Sequence, residues 1–227
     1  MPWLADLAWP DVLTRAEADA LLAIPLGSTE QHGPHLPLST DSDIAVALCE
    51  RLDAAHPDVL VAPAVSYGSS GEHAGFPGTL SIGQPAVELL VLELGRSAFD
   101  TFRHVLFVSA HGGNAEPVTR AVERLRAESR DVAVFMPRWD GDPHAGRTET
   151  SLLLALRPDS VRTDRIVPGN VRPLSELAPL VRQGGLRAVT ENGILGDPSG
   201  ANADEGDALL DKLAAELVDV VTEWRAA

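Results

Sequence analysis

The chain has 227 residues, of which 44% are hydrophobic and 22% are charged, the balance of an ordinary globular protein. This length suits one α/β domain with its own core, and because no stretch has linker composition, we expect residues 1–227 to form a single domain. The net charge of −15 argues against nucleic-acid and anionic-membrane partners, because both need clustered Lys and Arg.

The chain contains a single cysteine, Cys49, so an internal disulfide is excluded. The first residues lack the basic and apolar regions of a signal peptide. No apolar stretch reaches the roughly 18 uninterrupted residues that would predict a membrane span. These features together predict a cytoplasmic protein.

Apolar runs typical of strands alternate with helical patterns along the chain. A short helix is predicted to start at Pro10, and the first strand follows at residues 21–26. Further strands are predicted at residues 59–65, 80–82, 105–108 and 132–136, and further helices at 43–55, 84–102, 116–130, 147–157 and 204–224. Repeated succession of strand, polar loop and helix is typical of a mostly parallel sheet with helices on both faces, so the predicted fold class is α/β.

Carboxylates and imidazoles collect where the predicted strands end. Glu30 and His32 follow the first strand, and in an extended segment both side chains leave the same side. The others are Glu72, His73, His111 and His144, with Asp41 and Asp43 just before a helix. Because ligands bind at the carboxyl ends of parallel strands, we expect these side chains to converge. Oxygen and nitrogen donors of this kind suit a divalent metal ion.

Each of these features also has a simpler interpretation. The segment around Glu30 can be a polar loop that ends in a capping Asp. Glu149 can be a favourable acid in the first turn of a helix, and Asp197 can form an Asx-turn with its neighbours. For Glu72 and His73 we favour the interpretation that they orient a metal ligand from outside the coordination shell.

The sequence His-Gly-Gly-Asn at residues 111–114 has a rival interpretation as the oxyanion loop of an esterase. That class needs a Gly-x-Ser-x-Gly elbow, which the chain lacks, so the nucleophile is missing. A dinucleotide-binding fold is disfavoured as well, because no Gly-x-Gly-x-x-Gly sequence occurs.

Taken together, these motifs resemble the creatininase family of metal-dependent amidohydrolases. The matching segments are residues 27–37 with Asp41, residues 71–73 and 76–79, residues 111–114, residues 144–146 with 149–151, and residues 193–198. The resemblance implies a three-layer α/β/α sandwich. It also implies a homo-oligomer, which is a hexamer in creatininase itself.

Residues 147–154, 169–170 and 193–198 are similar to the branch of this family that processes the mycofactocin precursor peptide. This resemblance implies hydrolysis of a modified ribosomal peptide near its C-terminus, with release of a Val-Tyr-derived unit. The alternative within the family is an amidohydrolase acting on a small molecule of the creatinine or formamide type. The alternative from another class is a metal-binding or scaffold protein without catalytic activity.

The family pattern implies a ligand set for two divalent metal ions, which can be Zn, Fe(II) or Mn. Carried over to this chain, Glu30, Asp41 and His111 hold one metal, while His32 and Asp41 hold the second, so that Asp41 bridges them. Creatininase takes its last carboxylate from a Glu two residues after the histidine that corresponds to His111.

This chain departs from that pattern, because the corresponding position is Gly113, which cannot bind a metal. Glu149 is our candidate for the missing carboxylate, either as a metal ligand or as the residue that orients His144. His144 would carry the proton to the leaving amine, while the metals make hydroxide available near neutral pH. Gly112 and Gly113 would let the substrate approach. Substrate-facing or orienting roles are expected for Glu72, His73, Asn114 and Asp197, the last in a loop that closes over the substrate.

Overall fold

The computed structural model describes residues 3–226, which contain one sheet of parallel strands in the order β2-β1-β3-β4. The strands are β1 (Leu21–Leu26), β2 (Val59–Val61), β3 (His104–Ser109) and β4 (Val132–Phe135). Leu21 of β1 is paired with Val59 of β2 on one side and with His104 of β3 on the other. Each crossover between neighbouring parallel strands includes a helix, as parallel pairing requires.

The helices are α1 (Trp9–Glu17), α2 (Thr40–Ala55), α3 (Gln84–Ala98), α4 (Ala115–Ala127), α5 (Arg147–Leu156), α6 (Leu174–Gly184) and α7 (Ala203–Arg225). Single turns of 3-10 helix at Gly71–His73 and Gly112–Asn114 follow strands near the same edge of the sheet. No helix within residues 3–226 is long and apolar enough to cross a membrane.

Two cores lie on opposite faces of the sheet, because successive residues of a strand point to opposite sides. Leu106 and Val108 of β3 pack in a core with α2, α5 and α7. Val105 and Phe107 pack in the other core with α3 and α4, and Val12 of α1 joins that side. The sheet is therefore the middle layer of an α/β/α sandwich, which confirms the predicted fold class.

The sequence prediction was wrong at residues 80–82, which form no strand. Leu80 and Ile82 instead donate single backbone hydrogen bonds to Thr29 and Gly68. The predicted second strand is shorter than expected, because regular pairing ends at Val61 and Pro63 has no backbone donor.

Candidate metal centre

The loop after β1 brings Glu30 and His32 into the interior at the carboxyl edge of the sheet. Glu30 is 1% exposed and His32 is 0% exposed. The backbone N–H of Glu30 donates to the carbonyl of Leu38, and His32 forms an isolated bridge with Leu36. The segment therefore folds back on itself, and both polar side chains face the strand ends instead of solvent.

Asp41, in the first turn of α2, lies between two histidines. Its Oδ1 is 3.2 Å from Nε2 of His32, and its Oδ2 is 3.2 Å from Nδ1 of His111. The hydroxyl of Ser28 donates to Oδ2 at 2.8 Å and fixes the carboxylate. With one oxygen directed at each imidazole, Asp41 has the geometry of a bridging ligand.

Backbone carbonyls determine which nitrogen of each histidine is free to bind a metal. His111 has Nε2 at 2.9 Å from the carbonyl of Ser69, which can only accept, so Nε2 carries a hydrogen and Nδ1, which faces Asp41 and Glu30, is the nitrogen left for a metal. His32 has Nδ1 at 3.2 Å from the carbonyl of Glu30, so its Nε2 is the free nitrogen. Fixing a ligand through its other nitrogen is usual in metal sites.

His144 and Glu149 enter from the start of α5. Glu149 Oε2 accepts a hydrogen bond of 2.5 Å from the backbone N–H of Ala145 and lies 3.9 Å from Nε2 of His32. Ala145 has a positive φ of 53°, which is a strained backbone conformation, and in it the N–H points back at the carboxylate of Glu149. Burial lowers the pKa of His144 well below its ordinary value and raises the pKa of Glu149.

These side chains form three overlapping groups in which every donor atom lies within 4.8 Å of the others. The groups are Glu30–Asp41–His111, His32–His144–Glu149 and Glu30–His73–His144. Two of the atoms, Glu30 Oε2 and His32 Nε2, are buried and have no hydrogen-bond partner. Buried polar atoms without partners are costly, so this donor set fits bound cations.

The pKa values of the same groups also indicate that this cluster favours positive charge. Burial opposes the charged form of His32, but the carboxylates of Asp41, Glu149 and Glu30 together outweigh it and raise the His32 pKa to about 10. Burial is likewise outweighed at His111, where Glu30 and Asp41 raise the pKa to about 10. Burial raises the pKa of Glu30 to about 7. In the absence of metal, protons on the imidazoles therefore supply the charge that cations would supply.

A cavity of about 1250 Å³ opens onto this cluster. Its inner wall includes Glu30, Asp41, His111, His144 and Glu149, and its outer wall includes residues 136–143 and parts of α6. The cavity is larger than the roughly 300–1,000 Å³ of most small-molecule sites. The cluster is therefore buried on the protein side and reachable from solvent on the other.

A family model described as creatinine amidohydrolase matches residues 5–221, nearly the whole chain. The chain belongs to the creatininase family. The mycofactocin precursor peptide peptidase of Mycolicibacterium smegmatis is 50% identical over 213 residues, which cover 90% of this chain and 85% of that relative. The creatinine amidohydrolase of Pseudomonas putida is 27% identical, with 97% of this chain and 96% of that protein covered.

Solved structures agree with this assignment. A structure described as "Creatininase Mn" superposes with a TM-score of 0.84 at 25% identity and covers 97% of each chain. A second creatininase structure, of a Zn–Zn type, has a TM-score of 0.83 at 25% identity with the same coverage. Creatininases of this fold thus bind Mn or Zn, and this chain has groups that can hold metal ions.

The structure gives a physical reason for the departure from the creatininase pattern at Gly113. A Cβ atom there would overlap the carbonyl oxygen of Ser69 and lie 2.6 Å from Nε2 of His111. No side chain fits on this backbone, so a carboxylate cannot come from position 113. Glu149 comes instead from the first turn of α5, and its Oε2 lies 3.9 Å from Nε2 of His32. At Gly112 a side chain would meet nothing within 4 Å, so glycine there keeps the cavity open.

The remaining predicted residues lie in different places. Glu72 lines the cavity and has Oε1 4.0 Å from Nε2 of His73, which is itself 3.3 Å from Glu30 Oε1. Asn114 is buried and connects two loops, accepting from the N–H of Ser69 and donating to the carbonyl of Gly27. Asp197 does not line the cavity.

Asp197 accepts a hydrogen bond from the N–H of Ser199, the Asx-turn that was the simpler interpretation of this residue. The sequence analysis also missed a residue. Gln31, between Glu30 and His32, directs its buried side chain at two further histidines. Its position between two predicted metal ligands was the signal that the sequence offered.

Proposed function

We propose that this chain is a two-metal peptidase that hydrolyses the modified mycofactocin precursor peptide near its C-terminus and releases the Val-Tyr-derived unit. The substrate follows from the 50% identity with the M. smegmatis peptidase over most of both chains. The chemistry rests on one observation, the position of Asp41 with a separate imidazole 3.2 Å from each carboxylate oxygen.

Two overlapping ligand sets are proposed for the metal ions. Glu30, Asp41 and His111 would hold the first, and His32, Asp41 and Glu149 the second. Their mixture of imidazole and carboxylate donors suits Zn, Fe(II) or Mn. When bound, such metals polarise an amide carbonyl and make hydroxide available near neutral pH.

His144 is the proposed proton carrier. Its Nε2 lies 2.9 Å from the carbonyl of Gln31, so Nδ1 is the nitrogen left without a hydrogen, and it faces the centre 3.9 Å from Glu30 Oε1. Its lowered pKa keeps the ring neutral and able to take a proton, which it then passes to the leaving amine. Glu149 helps to hold this geometry through its bond to Ala145.

The size of the cavity supports a peptide over a compact lactam. A space of about 1250 Å³ holds several residues of an extended chain beyond the scissile bond.

A homo-oligomer, hexameric or similar, is part of this proposal. Trp9 is 76% exposed and Leu13 is 46% exposed one turn apart on α1, which supports an apolar contact between subunits.

The deciding experiment compares the modified precursor peptide with creatinine and a formamide, each incubated with protein loaded with Zn, Fe(II) or Mn. We expect release of the C-terminal unit from the peptide only, with loss of activity after chelation. Turnover of creatinine or formamide without peptide cleavage would instead establish the alternative, which the relative from P. putida favours. Full metal content without turnover of any amide would indicate a non-catalytic metal protein.

Glu149→Gln tests the second ligand set, with elemental analysis as the measurement. Gln keeps an acceptor for the N–H of Ala145 but is a weak metal ligand, so metal content should fall from about two ions per chain to about one. Glu116→Gln is the matched control, since Glu116 is also a first-turn acid, of α4. Two ions in both variants would remove Glu149 from the ligand set.

A further inference from the structure

Gln31 stands between two proposed metal ligands in the sequence, and its side chain contacts two other histidines. It is 5% exposed, and its amide nitrogen lies 3.1 Å from Nδ1 of His73 and 3.0 Å from Nε2 of His144. These two distances do not show which ring nitrogen of each histidine carries the hydrogen, so they do not show which atom of each contact donates. Backbone groups around the amide resolve the question.

Two backbone groups fix the orientation of the Gln31 amide. The N–H of Gly33, which can only donate, lies 2.9 Å from Oε1. The carbonyl of Gly193, which can only accept, lies 3.0 Å from Nε2. Exchanging the amide oxygen and nitrogen would oppose like groups at both positions, so the nitrogen must face the histidines.

With the amide fixed, both histidines have one consistent arrangement of hydrogens. Nε2 of His144 lies 2.9 Å from the backbone carbonyl of Gln31, which only accepts, so this nitrogen carries a hydrogen. One hydrogen of the Gln31 amide goes to Gly193, and the other therefore goes to Nδ1 of His73. His73 must then carry its own hydrogen on Nε2, which lies 3.3 Å from Glu30 Oε1.

We propose that Gln31 is a positioning residue that sets the tautomers of His73 and His144. Through its side chain it makes His73 a donor to Glu30, so His73 orients this carboxylate and does not bind metal. Through its backbone carbonyl it leaves Nδ1 of His144 bare towards the centre. The group Glu30–His73–His144 is thus a hydrogen-bonded support and not a third metal site.

The direct test is 15N NMR of the histidine rings in Zn-loaded protein, since the shift of each nitrogen reports whether it carries a hydrogen. We expect Nδ1 of His73 to be bare in the wild type. In Gln31→Glu the side chain keeps its shape but only accepts, so Nδ1 of His73 must become an N–H. Asn114→Asp is the matched control, because it makes the same change in a buried amide whose hydrogen bonds within residues 3–226 go to the backbone of Ser69 and Gly27. There Nδ1 of His73 should stay bare.

Kinetics provide a second measurement, which rests on the proposed function. Gln31→Met removes the donor without adding charge and should lower kcat about 10–100-fold, the usual effect of losing a group that orients a ligand, with little change in KM. An N–H at Nδ1 of His73 in the wild type, or an unchanged kcat in the variant, would overturn the proposal. A wild type that cleaves no peptide but shows the expected ring states would refute the proposed function alone.

Discussion

At the scale of single residues, Asp41 links the two halves of the centre. One of its oxygens faces His32 and the other faces His111, and Ser28 prevents the carboxylate from turning. Asp43, two residues on, lies outside the centre and accepts instead from Ser39 and Arg157. The same helical turn therefore contains an acid in the centre and an acid outside it.

We expect Asp41→Asn to abolish binding of both metals, because each would lose an anionic ligand at once. Asp43→Asn should retain the wild-type metal content, because Asp43 bonds to Ser39 and Arg157 outside the centre. Elemental analysis of the two variants, purified in parallel, makes the measurement. If Asp41→Asn retained one firmly bound ion, a bridging role would be untenable.

Metal uptake should release protons. The pKa values of about 10 for His32 and His111 mean that both rings are protonated in the metal-free protein at neutral pH, and a metal ligand cannot keep that proton. Both values are raised, so the protons are bound below about pH 10 and the metal affinity should increase as pH rises towards that value. Calorimetric titration with Zn in buffers of different ionisation enthalpy measures the release. Identical heats in all buffers would contradict it.

At the scale of elements, the start of α5 is attached to the loop of residues 193–198 by Asp142. Its Oδ2 accepts from the N–H of Arg147 at 2.8 Å and from the N–H of Asp197 at 3.1 Å. A Cβ atom at Gly146 or Gly196 would overlap the Asp142 side chain, so both positions need glycine. The loop that was expected to close over the substrate is thus fastened to the helix that carries Glu149.

Asp142→Ala should lower the free energy of unfolding by about 1–2 kcal/mol, since two backbone donors, one at a helix start, lose their acceptor. Asp140→Ala is the control in the same segment, because Asp140 is exposed and no hydrogen bond to it is seen within residues 3–226. Chemical denaturation of both variants makes the comparison. Equal stability of the two would mean that the Asp142 contacts contribute nothing.

At the scale of the whole molecule, an acidic protein places cations at the mouth of its cavity. Arg138 and Arg182 line it from the segment after β4 and from α6, and within the described chain neither guanidinium has a hydrogen-bond or ion-pair partner. Arg162 is also exposed, and its guanidinium has no such partner in that part of the chain, but it lies outside the cavity. Two unpaired guanidiniums beside the entrance are suited to carboxylates of a peptide.

Replacing Arg138 and Arg182 together with Gln should raise KM for a peptide with acidic side chains and leave kcat near the wild-type value. The effect should shrink at high salt, because exposed charges are screened. Arg162→Gln is the matched control and should change neither constant. A double variant with wild-type KM at low salt would show that the arginines do not contact the substrate.

Features that depend on residues close together in the sequence could be predicted from it, whereas features that depend on distant residues could not. β1 was predicted with its observed bounds because a continuous apolar run defines a strand buried on both faces. The donors Glu30, His32 and Asp41 lie in one short segment, so their convergence followed from local spacing. The orientation of the Gln31 amide could not be predicted, because it depends on Gly193, 162 positions away.

The obstruction at Gly113 has a consequence for how the family can diversify. Introducing a carboxylate there by one substitution would drive a side chain into the backbone of Ser69, so a chain that keeps this loop conformation cannot accept the change. The acid that the family pattern places in this loop and the helix-borne Glu149 that we propose in its place are thus alternatives that one substitution at position 113 cannot exchange. A change from one to the other would require the Ser69 backbone to move before any side chain could stand at position 113.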